Sequence, residues 1–320
     1  MSSIFVNICS YRDPLLIHTL KNMMETESGN HHIVYGIFEQ RLQPGSLQGR
    51  YPELANHPRV KYKRIDPEYT DGLGWSRHIN SLQFRDEDLY YQTDSHMLFD
   101  EGWDQAMVED YEMGCKEYST DKVIITGCCK TVMLDGSGVP YRAEPKQDRW
   151  TCETKFHGLY WDSTPAYFGD MVPAKNHCAP AYMIWGGNTL FPKRYVKEIG
   201  FDPNMGFRGE QSKITLEAFA NGYKLLHPRD IVAYHYNGSG DNYWTKPEVN
   251  PVVPQWKLDE MRNMDTTKFW EYVANLDPKI LEDYRRMSGF DFIEKTTEKR
   301  SYSSKVPSFI PFKLIDDRLD

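Results

Sequence analysis

The first hundred residues alternate short apolar runs with segments long enough to carry a helix back across a sheet, and this alternation constrains the fold more than any other feature. Residues 4–8 read as a strand, followed by Cys9-Ser10-Tyr11-Arg12 and then Asp13-Pro14, an N-cap with proline at the first helical position. Leu15, Leu16, Leu20, Met23 and Met24 share one helical face up to about Thr26, and Gly29-Asn30 closes the segment. Residues 32–38, 60–65, 89–92 and 123–126 supply further short apolar runs. Crossovers of this length predict a mostly parallel central sheet with flanking helices, an α/β architecture whose ligands bind beyond the carboxyl ends of the strands.

From about residue 135 to residue 180 the pattern loosens into an expected irregular insertion, with Trp150, His157, Tyr160, Trp161 and Tyr167 scattered through it. Regularity returns over 181–190 and continues through a helix over 192–199 to the turn Gly200-Phe201-Asp202-Pro203. A helix over 214–220 ends at Asn221-Gly222, and a strand over 231–234 leads into His235. Helices are expected over 256–264, 266–276 and 278–287, then a polar tail or docking segment over 296–320. The organisation expected is a main domain over 1–245, a helical extension over 246–295 and the tail.

Composition narrows the function classes. The chain has 320 residues, 40% hydrophobic, enough for a sizeable core. A net charge of -8 argues against a strongly basic nucleic-acid binder. The opening Met-Ser-Ser-Ile-Phe-Val-Asn-Ile has no cationic lead, and no apolar stretch reaches spanning length, so a cytoplasmic protein away from membranes is expected. Six cysteines without a CxxC pair read as reduced, mostly buried residues rather than a zinc finger. The 14% aromatic content suits either core packing or stacking on sugars and bases.

The chemistry concentrates in Thr93-Asp94-Ser95-His96, directly after a buried strand. In an extended segment residues i and i+2 face the same side, so the Asp94 carboxylate and the His96 imidazole can converge on one ion. His235, after the last predicted strand, is the candidate third ligand, although an ordinary partly buried histidine would look the same. Asp71-Gly72-Leu73-Gly74-Trp75-Ser76-Arg77 combines permissive backbone, an aromatic face and a fixed cation. The Arg77 fork can pair with diphosphate oxygens or with a carboxylate near the metal. Glu210, in Gly209-Glu210-Gln211, stands at a helix start, where it also complements the dipole without any chemistry. Trp185-Gly186-Gly187 offers an aromatic beside backbone that allows close approach, though a strand-end turn has the same form.

The ordered set of residues 8–14, Gly72 to Arg77, Thr93-Asp94-Ser95-His96 with Gly102-Trp103-Asp104, Gly187, Phe201-Asp202-Pro203, Gly209-Glu210 and His235 resembles the polypeptide α-N-acetylglucosaminyltransferase family typified by the enzyme acting on Skp1. Gln211 stands where that family usually has a second acidic residue, and Trp185-Gly186-Gly187 replaces a more alanine-rich stretch. The resemblance implies a GT-A fold, a UDP-sugar donor, Mn2+ or Mg2+, and retention of anomeric configuration. It implies that Ser10, Tyr11, Arg12 and Asp13 line the nucleotide site with Gly72, Trp75, Thr93, Ser95 and Trp185 to Gly187 nearby. It places Arg77 near the diphosphate, Asp94, His96 and His235 on the metal, and Glu210 facing sugar or acceptor.

Retention points to a front-face transfer in which the departing diphosphate helps take the acceptor proton; inversion would make Glu210 the general base. The acceptor hydroxyl is expected on a protein, with a glycan or a hydroxymethylated DNA base as alternatives. A nucleotidyltransferase would need a Gly-rich basic loop near the amino terminus, and residues 9–14 contain no glycine and one arginine. A non-catalytic sugar-nucleotide-binding module is the remaining rival.

Overall fold

The computed structural model describes residues 1–144, 149–159, 164–206, 209–238 and 255–297. Residues Tyr160 and Trp161 of the insertion, the start of the helical extension (246–254) and the tail from 298 to 320 lie outside the described residues.

Strands β1 (Ser3–Tyr11), β2 (His32–Gln40), β3 (Val60–Ile65) and β4 (Leu89–Asp94) are followed by β5 (Met97–Phe99), β6 (Val123–Thr126), β7 (Lys130–Leu134) and β8 (Pro140–Arg142). Then come β9 (Trp150–Leu159), β10 (Pro165–Pro173), β11 (Asn188–Pro192), β12 (Lys224–Leu226), β13 (Ala233–His235), β14 (Phe290–Asp291) and β15 (Thr296–Thr297). The helices are α1 (Leu16–Glu25), α2 (Leu47–Arg50), α3 (Pro52–Ala55), α4 (Leu73–Ser81), α5 (Trp103–Tyr118), α6 (Lys193–Glu198), α7 (Gly209–Ala220), α8 (Gln255–Asn275) and α9 (Pro278–Ser288).

The main sheet has seven strands in the order β12-β6-β11-β4-β1-β2-β3. All its pairings are parallel except those of β11, which runs antiparallel to both neighbours, so the expected mostly parallel sheet is found in mixed form. β1 lies deep in the sheet and is apolar on both faces, as strands covered on both sides are. Ile4, Val6 and Ile8 join one core layer with Leu20 of α1 and Met107 of α5. Phe5 joins the opposite layer with Tyr195 of α6 and Ile214 of α7. Much of the aromatic excess is spent here: Tyr90 stacks between Phe5 and Phe201 at centroid distances of 5.5 and 5.1 Å.

Three expectations are corrected. Asp13-Pro14 forms the turn before α1 rather than its first turn: Asp13 Oδ1 accepts from the Leu15 N–H, and the helix starts at Leu16. The segment from 135 to 180 is not irregular, because β7–β8 and the long antiparallel β9–β10 ladder occupy much of it. Its inward positions on β9 are Cys152, Thr154 and Phe156, too weakly apolar as a set to announce a strand. The break expected near residue 265 is absent, and α8 is continuous.

Helices α8 and α9 share a core with β9 and α7. Phe269, Val273, Leu281 and Tyr284 pack with Phe156 of β9, Met183, Met205 and Leu216 of α7. Among the described residues, no helix is long and apolar enough to cross a membrane.

Candidate active site

Strand register assembles the site. On β1 Cys9 stands opposite Asp94, the last residue of β4, while Asn188 of β11 pairs with Thr93 and leaves Gly187 beside Asp94. β13 belongs to a second sheet, β5-β13-β7-β8, in which His235 pairs with Met97. Pairing with Met97 sets His235 beside His96, and the Tyr236 N–H donates to the His96 carbonyl at 3.1 Å. Residues 139 apart in sequence therefore meet through a three-residue strand.

Asp94, His96 and His235 each present a ligand atom within 4.8 Å of the others. His96 Nδ1 lies 2.7 Å from Asp13 Oδ2, and His235 Nδ1 lies 2.8 Å from Asn237 Oδ1. Both partners can accept, which favours the Nδ1 proton in each neutral ring and then turns both Nε2 lone pairs inward. Those two Nε2 atoms are 2.9 Å apart, and His235 Nε2 is 3.4 Å from Asp94 Oδ2. Two facing lone pairs beside a carboxylate repel unless a proton or a cation sits between them. Imidazoles sharing an ion at about 2.1 Å adopt a separation of this order, so the donor set fits a divalent cation.

Burial alone would raise the Asp94 carboxyl, but the hydrogen bond from His235, the Arg77 guanidinium and the charge of the two imidazoles when they hold a proton on both nitrogens keep it below the usual carboxylate range. Burial would lower His96, and Asp13 more than reverses this, so His96 titrates above an ordinary histidine.

Arg77 is 1% exposed on α4 and binds protein through both Nη atoms. It donates from Nη2 to Asp94 Oδ1 at 3.1 Å and to the Gly186 carbonyl at 2.9 Å, and from Nη1 to Glu210 Oε2. Glu210 is 2% exposed at the first turn of α7. Of the two pairings open to Arg77 on sequence, the one with a carboxylate beside the candidate metal site is made. The flanking glycines make room: a Cβ on Gly186 would stand 2.9 Å from Arg77 Nη2, and one on Gly187 2.7 Å from Asp94 Oδ2. Their close approach is thus to the site's own side chains.

The other expected site residues sort by position. Ser10 is 1% exposed at the carboxyl end of β1, with a buried hydroxyl that has no partner among the described residues. Tyr11 follows, and Arg12 adopts a left-handed φ of 53° there. Asp13 is 2% exposed and faces His96 rather than open space. Gly72 (φ 100°) starts α4 against the 205–206 loop: the Leu73 and Gly74 N–H groups donate to the Gly206 carbonyl, at 2.5 and 3.2 Å, and Trp75 N–H donates to Met205. That helix start is engaged with protein, and the Trp75 ring meets Phe38 edge-on. Thr93 Oγ1 donates to the Gly187 carbonyl and Ser95 Oγ to Asp13. Trp185 is half-buried against Tyr167, its buried indole N–H without a protein partner. Sequence reasoning missed Asn237, two residues past His235, and Tyr167, whose hydroxyl donates to Gln211 Oε1.

Comparison with known proteins bears on the fold. The solved structure of GalNAc-T7 with UDP, GalNAc and Mn2+ is similar with a TM-score of 0.54 at 17% identity; the match covers 89% of this chain and 58% of that one. Staphylococcus aureus TarS gives a TM-score of 0.45 at 11% identity, over 92% of this chain and 81% of that one. The mannosyltransferase PcManGT from Pyrobaculum calidifontis, with GDP-Man and Mn2+, gives 0.46 at 11% identity, over 89% and 79%. The chain thus spans under two thirds of the GalNAc-T7 chain. No curated protein sequence matches it. The fold is GT-A, and the family model described as Glycosyltransferase (GlcNAc) matches residues 3–49 and 43–273. The chain belongs to that glycosyltransferase family.

Proposed function

We propose that the protein transfers a sugar from a UDP-sugar to an acceptor hydroxyl, with Mn2+ or Mg2+ held by Asp94, His96 and His235. The observation that carries this reading is the pair of Nε2 atoms 2.9 Å apart beside Asp94, at the carboxyl end of β4 where sheets of this kind bind ligands. When bound, the cation neutralises charge developing on the leaving diphosphate. GalNAc-T7 was solved with UDP and Mn2+ together, which makes manganese the first ion to test. The family description makes UDP-GlcNAc the first donor.

Ser10, Tyr11 and Arg12, at the end of β1, are the proposed nucleotide contacts, and the Ser10 hydroxyl supplies a partnerless polar atom there. Arg77 holds Asp94 and Glu210 rather than reaching the diphosphate. Glu210 is buried and engaged by the Arg77 guanidinium, so it positions groups rather than standing open to an acceptor hydroxyl. This supports transfer with retention over an inverting mechanism with Glu210 as base. The acceptor we propose is a hydroxyl of a protein, and the six free cysteines suit a reducing, cytoplasmic setting.

The test is UDP release from UDP-GlcNAc and other UDP-sugars with and without Mn2+, followed by mass spectrometry of modified acceptors and determination of product stereochemistry. Mn2+-dependent release that disappears in Asp94→Ala and His96→Ala supports the reading. Binding of UDP-sugar without any release would make the chain a binding module, and release unchanged in both variants would remove the proposed metal site.

A further inference from the structure

We propose that Asp13 is the positioning residue of the metal centre. It sets the tautomer and aim of His96 from the turn before α1, and Asn237 plays a weaker counterpart role for His235. The inference rests on reading Asp94, His96 and His235 as a metal site. Asp13 is 2% exposed, and its two oxygens meet three donors. Oδ1 accepts the Leu15 N–H at 2.8 Å, while Oδ2 takes the Ser95 hydroxyl at 2.5 Å and faces His96 Nδ1 at 2.7 Å. A single carboxylate oxygen thus grips the ligand residue and the residue between the two ligands.

The same side of the segment is clamped twice more from α1. Thr19 Oγ1 accepts the Met97 N–H at 2.8 Å, and Asn22 Oδ1 accepts the Phe99 N–H at 2.6 Å. The backbone after Asp94 is therefore fixed by Thr19 and Asn22, and Asp13 is left to fix the imidazole. An anionic acceptor on Nδ1 also makes Nε2 more basic, which a neutral amide does less. Asn237 is exposed and neutral, so His235 is held less firmly than His96. Because Asp13 directly follows Arg12, any shift at the end of β1 reaches His96 through one side chain.

Asp13→Asn keeps an acceptor oxygen but removes the charge; Asp13→Ala removes both. Mn2+ binding is followed by electron paramagnetic resonance of the free ion, without nucleotide, and the His96 tautomer by 15N NMR of the metal-free protein. Asp13→Ala is expected to weaken Mn2+ binding about 10- to 100-fold and to lose the Nδ1-protonated signature of His96, with Asp13→Asn between it and wild type and Asn237→Ala milder. If Asp13→Ala fails to fold, Asp13→Asn carries the test. Wild-type affinity and an unchanged tautomer in the Asp13 variants would overturn the inference and leave the metal site standing. No Mn2+ binding by the wild type would overturn both.

Discussion

Gly187 lies so close to Asp94 that a Cβ built on it would stand 2.7 Å from the carboxylate Oδ2, the oxygen that also faces His235. Gly187→Ala therefore has to displace either the start of β11 or the Asp94 carboxylate, and the side chain is the softer of the two. Mn2+ affinity should fall by about tenfold or more while the thermal midpoint changes little. Isothermal titration with Mn2+ alongside a melting curve checks this; full affinity in the variant would mean that the Asp94 carboxylate is not held where metal binding needs it.

Arg77 and Glu210 form a buried ion pair, whose formation gains little net stability because both charges are desolvated. Removing one member leaves an uncompensated buried charge, at a cost of about 3–5 kcal/mol. Arg77→Met is accordingly expected to destabilise strongly, since it strands Glu210 and withdraws a partner from Asp94. Arg77→Met with Glu210→Gln should recover part of the loss, and urea denaturation of the single and double variants gives the coupling. Additive effects would mean that the pair does not act as a unit.

His96 carries a raised pKa, so its protonated form contributes stability to the metal-free protein that is fully present below the unfolded value of about 6.5. That contribution is lost as pH rises through the folded value. Metal binding needs the proton gone and therefore strengthens over the same window. The gain in thermal midpoint on adding saturating Mn2+ should grow between about pH 6 and about pH 8. A gain independent of pH there would argue that no histidine proton is exchanged for metal.

Asp94 and His96 were legible as candidate ligands from their spacing directly after a strand, although the chain bends at Ser95 and His96 between β4 and β5 rather than staying extended. His235 was legible only through order along the chain, since its strand joins the second sheet and its place beside His96 depends on the β5–β13 register. Asp13 was legible as a helix-start residue but not as the partner of His96, because a contact across 83 positions leaves no local pattern. Arg77 admitted two partners on sequence, and its contacts with Asp94 and Glu210 depend on packing across 17 and 133 positions that no local pattern shows. The β9–β10 ladder was hidden by threonine and cysteine at inward positions, which are buried against Cys128, His227 and Pro228 from distant parts of the chain. The continuity of α8 was hidden by Asp265-Thr266, a capping signal that a helix overrides when no glycine or proline follows.

Phe269 of α8 is fully buried and shares its cluster with Phe156, Met205 and Leu216, so the helical extension and the sheet domain have one core between them. Truncating a buried phenylalanine costs about 3–5 kcal/mol through lost burial and the cavity left behind. If the extension were an independent appendage, Phe269→Ala would lower only a local transition and leave the unfolding of the main sheet untouched. With a shared core, near-ultraviolet and far-ultraviolet circular dichroism should instead report one transition, shifted to lower temperature in both. Met205 lies in the same cluster and its carbonyl accepts the Trp75 N–H, so loosening that core should also reach the start of α4, the helix that carries Arg77. Mn2+ affinity in Phe269→Ala is therefore expected to weaken, by less than in Gly187→Ala, and two separate melting steps with undiminished affinity would refute the shared core.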